Sequence, residues 1–263
     1  MSETLQDRFL RYVQVDTQSD ENSPDTPSSA RQWDLLRMLR DELAALGAAE
    51  VTLTEHGYVL ATIPATIAAD APVVAFFAHV DTSPAFSGAG VKPIVHRAYS
   101  GGKIALPDDP AQLLDPAEYP ELDTAIGKDV ITASGTTLLG ADDKAGVAIV
   151  MTLAETLLKN PAIPHGKVRI CFNPDEEVGA GVDLLELPLL GAHVAYTLDG
   201  ESPGEVAWET FSGDKAVVTL EGVSTHPGEG RKKGMVNAVM LATRLLAALP
   251  RENISPETTH ERE

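Results

Sequence analysis

The stretch Val73–Pro84, VVAFFAHVDTSP, combines two features that rarely occur together. Its first six residues are apolar, which is typical of a strand buried on both faces of a sheet. His79 and Asp81 follow at once, and alternate residues of an extended chain project to the same side. The stretch therefore predicts a buried strand whose end presents an imidazole and a carboxylate to one point. Alone, His79 and Asp81 are weak evidence for a functional site, because a buried histidine is often simply paired with a carboxylate.

Acidic residues follow other apolar or glycine-containing stretches in the same way. They are Asp142 and Asp143 in GADDKAG, Asp175, Glu176 and Glu177 in NPDEEVG, and Asp199 in LDGE. One carboxylate at a helix start can be a cap, and one at a strand end can be solvated. Three adjacent acids, however, repel one another unless a cation balances them.

The order of apolar strands and amphipathic helices predicts an α/β fold, with a mostly parallel sheet flanked by helices. In such sheets ligands bind beyond the carboxyl ends of the strands. Residues 87–129 are rich in glycine and proline and are interpreted as a long loop excursion. The character of the sequence changes after Trp208. We therefore predict a catalytic domain over 1–208, lacking its C-terminal part, and the beginning of a smaller α+β lid or dimerisation domain over 209–263.

Histidine and carboxylate side chains at neighbouring strand ends are the nitrogen and oxygen ligands of a catalytic zinc or related site. Four unrelated acidic strand ends would be unusual, since ionisable groups are seldom buried without a partner. The sequence therefore predicts a metal site at the carboxyl edge of the sheet. Cobalt and manganese accept the same ligands as zinc.

Composition and charge exclude several classes of partner. The chain has 39 acidic and 20 basic residues, and a formal net charge of −19. Such a protein repels nucleic acid and anionic membranes, so neither is expected as a partner. The single cysteine, Cys171, lies in an apolar run, and the N-terminus carries no pattern of a secretory signal. These features predict a soluble cytoplasmic protein.

Five motifs, taken in order along the chain, carry a family resemblance: AHVDTSP, GADDKAG, PDEEVGAG, LDGE and STHPG. They resemble the co-catalytic dizinc peptidases of the aminoacylase and carboxypeptidase G type. Within that family the resemblance is closest to the aminopeptidases that act on tripeptides. It implies a metal-dependent aminopeptidase with two zinc ions and a small peptide as its substrate.

The resemblance also implies a role for each matching residue. His79 and Asp199 correspond to ligands of the first metal, Asp142 to the carboxylate bridging both metals, and Glu177 to a ligand of the second. Asp81 corresponds to the carboxylate that orients His79.

Two further residues correspond to catalytic groups of the family. Glu176 matches the general base, which takes a proton from a metal-bridging water and passes it to the leaving amine. His226, in STHPG, matches a lid histidine that stabilises the oxyanion, although a plain surface histidine is equally consistent with the sequence.

One ligand implied by the resemblance has no counterpart in this sequence. The family's second metal takes another histidine from chain that returns to the catalytic domain after the lid. We therefore expect a weakened second site and a truncated form of a chain of about 400 residues. Two alternatives remain open: a dizinc deacylase of N-acyl amino acids, and a metal-binding fragment without catalytic activity.

Overall fold

The computed structural model describes residues 3–200, 204–208 and 217–249. The chain divides into two compact units, Met1–Glu201 and Ser202–Glu263. The predicted start of a lid domain at residue 209 falls on residues outside the described part, as do residues 250–263. The assignment of a catalytic and a lid domain therefore stays a prediction.

The first unit contains five helices and nine strands among its described residues. The helices are α1 (Leu5–Tyr12), α2 (Gln32–Leu46), α3 (Glu121–Thr124), α4 (Ala141–Lys159) and α5 (Leu187–Leu190), with a 3₁₀ turn at Glu176–Val178. The strands are β1 (Ala49–Leu53), β2 (Val59–Ile63), β3 (Val74–His79), β4 (Ile94–His96), β5 (Ile104–Leu106), β6 (Asp109–Leu114), β7 (Val130–Thr132), β8 (Val168–Asn173) and β9 (Val194–Thr197).

The main sheet has the strand order β1-β2-β8-β3-β9. Strand β3 pairs parallel with both β8 and β9, whereas β2 pairs antiparallel with both β1 and β8. Four strands thus share one direction and β2 opposes them. The prediction of an α/β fold with helices flanking the sheet is confirmed, and the sheet is mixed because β1 and β2 form a hairpin.

The main hydrophobic core lies between one face of this sheet and helices α1, α2 and α4. Apolar residues recur along these helices at the spacing of one helical face, as expected for elements that cover a sheet. A smaller apolar cluster on the other face includes Phe77, Cys171 and Leu190. The thiol of Cys171 is buried there, in agreement with its apolar sequence context.

The parallel strands bring the predicted site residues to one edge of the sheet. His79 is the last residue of β3 and lies beside Asn173, the last residue of β8. Strand β9 ends at Thr197, two residues before Asp199. Because all three strands run the same way, the segments that follow them leave the sheet together.

The interpretation of residues 87–129 as a loop excursion was incomplete. Strands β4 and β7 pair with each other, and β5 pairs with β6. Tyr99, Ile104, Leu106 and Leu122 form a small buried cluster of their own. The segment is therefore an ordered substructure with its own apolar contacts.

The second unit includes two short helices among its described residues, α6 (Pro227–Gly230) and α7 (Ala238–Ala248). Asn237 caps α7 by accepting a hydrogen bond from the backbone N–H of Val239. In the described part of the chain, we find no helix with the length and apolar character that crossing a membrane requires.

Candidate metal centre

His79 lies at the centre of the site and is 1% exposed. Its Nε2 atom is 2.8 Å from Asp142 Oδ1 and 3.6 Å from Asp199 Oδ2. Its Nδ1 atom faces the other way and lies 3.2 Å from Asp81 Oδ1. The imidazole therefore presents one nitrogen to a group of carboxylates while the other nitrogen is held by a buried acid.

Asp81 has a second role that the sequence did not reveal. Its two carboxylate oxygens accept hydrogen bonds from the backbone N–H groups of Glu176 (3.0 Å) and Glu177 (3.1 Å). Asp81 is fully buried, so these bonds form away from competing water. One carboxylate therefore orients both the imidazole of His79 and the acidic turn after β8.

The adjacent residues Asp142 and Asp143 have different surroundings at the start of α4. Asp143 is buried, and its oxygens accept hydrogen bonds from the backbone N–H groups of His79 (3.1 Å) and Gly146 (3.0 Å). The Asp142 side chain is 71% exposed and directs Oδ1 towards the His79 imidazole. The Asp142 carboxylate thus faces solvent and the imidazole, whereas the Asp143 carboxylate also holds the end of β3 through its hydrogen bond to His79.

Among the residues that the structure describes, two overlapping groups of side chains could each hold a metal ion, and within each group the ligand atoms all lie within 4.8 Å of one another. One group is His79, Asp142 and Glu177, and the other is His79, Asp143 and Asp199. The four predicted ligands thus converge at one place. Asp143 also lies there, although the sequence analysis gave it no role.

The charges of the site are poorly balanced without a cation. Burial raises the pKa of Asp199 to about 6, and the neighbouring charges of Asp142 and Glu176 add to the rise, against the influence of His79. Burial and the charge of Asp142 likewise raise the pKa of Glu177. A divalent cation bound beside these carboxyl groups would favour their ionised form. The donor set of one imidazole and several carboxylates fits zinc, cobalt or manganese.

Comparison with known proteins finds relatives named peptidase T. The chain is 46% identical over 259 residues to peptidase T of Geobacillus thermodenitrificans, a match that covers 98% of this chain and 62% of the relative. Peptidase T of Lysinibacillus sphaericus is 45% identical over the same length. The chain is therefore similar to peptidase T along nearly all of its own length. No family model matches the chain. The chain spans only about three fifths of these relatives' length, 62% in both cases.

Solved structures agree with the peptidase T relationship. Aminopeptidase PepT from Bacillus cereus matches with a TM-score of 0.56 and 25% identity, over 94% of this chain and 56% of that one. A tripeptidase from Staphylococcus aureus matches with a TM-score of 0.53 and 26% identity, over 75% of this chain and 43% of that one. Aminoacylhistidine dipeptidase from Vibrio alginolyticus, at 21% identity and a TM-score of 0.51, shares the fold.

His226 belongs to the second compact unit and to neither group of candidate ligands described above. Its side chain is exposed, and Nδ1 accepts a hydrogen bond of 3.2 Å from the backbone N–H of Gly228 at the start of α6. With Nδ1 acting as an acceptor, the neutral ring carries its proton on Nε2. The role predicted for His226 in the oxyanion site stays a prediction.

Gly146 is a further residue at this site that had no role in the sequence-based prediction. A Cβ atom added there would overlap Asp143 Oδ1 and the carbonyl oxygen of Leu198. Glycine thus allows α4 to approach the chain one residue before Asp199. The second glycine of GADDKAG, Gly146, was visible in the sequence, but the close approach of the distant residue Leu198 was not.

We expect Gly146→Ala to destabilise the fold by about 1–3 kcal/mol, because the added methyl group must displace Asp143 or Leu198. Thermal unfolding followed by circular dichroism measures the effect. Gly200→Ala is the control, since a Cβ atom at Gly200 meets nothing within 4 Å. Equal melting temperatures for the two variants would show that a methyl group fits at this position of α4 without displacing its neighbours.

The metal-free protein is expected to lose stability as the pH rises from about 6 to about 8. Burial opposes protonation of His79, but the hydrogen bond and charge of Asp81, with the charges of Asp143 and Asp199, raise its pKa to about 10. Burial raises the pKa of Asp143 to about 8. Both groups hold protons in the folded chain that the unfolded chain has released, so stability falls across this window.

Melting temperatures measured in the presence of a chelator between pH 6 and 8 test this dependence. The decrease should be smaller for His79→Gln, which removes one of the two titrating groups. Saturating zinc should also reduce it, since a bound cation replaces the protons. A melting temperature that rises with pH in the chelated protein would contradict the proposed electrostatics.

Proposed function

We propose that this chain carries the metal centre of an aminopeptidase that releases the N-terminal residue of tripeptides. The observation that carries the proposal is the convergence of His79, Asp142, Glu177 and Asp199 at one sheet edge, in a chain similar to peptidase T. The names of the solved relatives, an aminopeptidase and a tripeptidase, support both the reaction and the substrate.

The proposed ligands divide between two divalent cations. His79 and Asp199 would hold the first, Glu177 would hold the second, and Asp142 would be the carboxylate shared by both. Asp142 suits this position because it is the most exposed of these side chains and lies 2.8 Å from the imidazole. When bound, the cations polarise the scissile carbonyl and lower the pKa of the attacking water. We propose zinc as the metal, and cobalt or manganese fit the same donor atoms.

Glu176 is the proposed general base. Its Oε2 atom is 3.9 Å from His79 Nε2, so its carboxylate lies at the site without belonging to either group of candidate ligands. The side chain is 52% exposed and can therefore reach a bound substrate. It would take the proton from the attacking water and deliver it to the amine of the leaving dipeptide.

Two further residues complete the proposal. Asp81 orients His79 and fixes the backbone of Glu176 and Glu177, which places base and ligands relative to one another. His226, with its proton on Nε2, supplies a hydrogen-bond donor for the oxyanion that develops on the scissile carbonyl. The proposed location is the cytoplasm, based on the composition and on the buried, unpaired Cys171.

A panel of small substrates tests the proposed reaction on the purified chain. Zinc-loaded protein should release alanine from trialanine, and it should not cleave N-acetyltrialanine, because the proposed enzyme requires a free N-terminal amine. N-acetylalanine tests the alternative of a deacylase, which the peptidase names of the relatives do not favour. Removal of the metal with a chelator should stop the reaction, and zinc should restore it. Release of acetate from N-acetylalanine, with trialanine left intact, would contradict the proposal.

A further inference from the structure

Asp175 is a buried acid that the proposed reaction does not use. It is 1% exposed and directly precedes Glu176, yet it belongs to neither group of candidate metal ligands. Its carboxylate instead faces residues that precede and begin α2. Because a buried carboxylate is unfavourable unless it is hydrogen-bonded, its partners indicate what it does.

Two residues far away in the sequence bind both oxygens of this carboxylate. Oδ2 accepts a hydrogen bond from the backbone N–H of Ser28 (2.8 Å). Oδ1 accepts hydrogen bonds from Ser28 Oγ (2.5 Å) and Gln32 Nε2 (2.6 Å). The backbone N–H of Asp175 donates in return to Gln32 Oε1 (3.2 Å). We call these three residues the Asp175 latch.

The Asp175 latch is shielded from water. Gln32 is fully buried and Ser28 is 9% exposed. Hydrogen bonds to a charged group in such surroundings are among the stronger ones in proteins. The latch therefore fixes the position of Asp175 against α2.

The acidic turn is thus held at both ends. The Asp175 latch fixes the residue before Glu176, and Asp81 binds the backbone N–H groups of Glu176 and Glu177. Asp175 has a φ of 58°, a left-handed conformation that non-glycine residues adopt infrequently. The latch stabilises this conformation, which directs the chain away from β8 and into the turn that carries both glutamates.

We infer that Asp175 is a positioning residue, which uses Ser28 and Gln32 to hold Glu176 and Glu177 at the metal centre. The inference rests on the proposed function, in which Glu177 binds a cation and Glu176 is the base. It adds the start of α2 to the structures on which the site depends. A preorganised site needs this kind of support, because small displacements of a ligand or base lower both affinity and rate.

Cobalt binding to the purified chain tests the inference. The isosteric change Asp175→Asn places an amide group among donors and weakens the latch. We expect about a 10-fold or greater loss of Co²⁺ affinity and a changed visible absorption spectrum of bound Co²⁺, as is typical when a group that supports metal ligands is lost. With trialanine as substrate, kcat should fall by a larger factor than KM changes.

Two variants make the result specific. Ser28→Ala removes one donor and keeps the backbone hydrogen bond. It should therefore lower the Co²⁺ affinity and change the absorption spectrum of bound Co²⁺ as Asp175→Asn does, but by a smaller amount. If Asp175→Asn does not fold, Ser28→Ala alone tests whether the Asp175 latch positions the metal centre. Glu155→Gln is the matched control, because it changes another buried acid, bound to Arg8, away from the site. It should lower the melting temperature without changing Co²⁺ binding.

The possible failures are distinguishable. If folded Asp175→Asn and Ser28→Ala bind Co²⁺ with unchanged affinity and spectrum, the Asp175 latch has no positioning role and the proposed function stands. If His79→Ala binds Co²⁺ as the unmodified chain does, or the unmodified chain binds none, the proposed function is wrong and the inference fails with it.

Discussion

Glu176→Gln is expected to abolish peptide hydrolysis while the chain keeps its bound metal. The substitution preserves the size of the side chain but removes the carboxylate that we propose accepts a proton from the attacking water. Loss of a general base lowers the rate by roughly 10²- to 10⁴-fold. Metal content should be unchanged, because Glu176 lies outside both groups of candidate ligands.

The measurement is kcat with trialanine, together with metal analysis of the same sample. Glu186→Gln serves as the control, since it neutralises an exposed glutamate ten residues further along the chain. Near-normal turnover by Glu176→Gln would show that the proton is accepted elsewhere. Loss of metal along with turnover would instead place Glu176 among the ligands.

His79→Ala is expected to have the largest effect on metal binding. His79 is common to both groups of candidate ligands, and its Nε2 lies within 4 Å of Asp142, Glu176 and Asp199. Its loss removes the one nitrogen donor of these groups and leaves carboxylates that repel one another. We expect affinity for zinc to fall by more than the roughly 10- to 100-fold that follows loss of a supporting residue.

Equilibrium dialysis against zinc measures this effect, with circular dichroism to establish that the variant folds. His56→Ala is the control, because the His56 side chain is 41% exposed and lies outside the candidate ligand groups. The control should bind zinc as the unmodified chain does. If His79→Ala binds zinc with unchanged affinity, the imidazole of His79 is not a metal ligand.

The sequence predicted those parts of the site that depend on where strands end. His79 follows an apolar run, and Asp199 follows another, so the parallel arrangement of β3 and β9 was enough to expect both at one edge. The acidic turn after β8 followed from the same rule. These are local patterns, and the sheet converts them into spatial proximity.

Other parts of the site depend on contacts that no local pattern encodes. Ser28 and Asp175 are 147 positions apart, and nothing near either residue indicates that they meet. Asp143 was visible as an acid, but its hydrogen bond to the backbone of His79 depends on how α4 packs against β3. The mixed character of the sheet likewise follows from the β1–β2 hairpin, whose pairing with β8 is a tertiary contact.

The most direct test of the metal centre is a calorimetric titration of Zn²⁺ into the chelator-treated and dialysed chain. We expect two saturable binding steps, with the first the tighter, because in the proposed arrangement one cation takes the nitrogen of His79 and the other is held by carboxylates. In His79→Ala the tighter step should disappear. A chain that binds no zinc, or whose binding is unaffected by the loss of His79, would contradict the account.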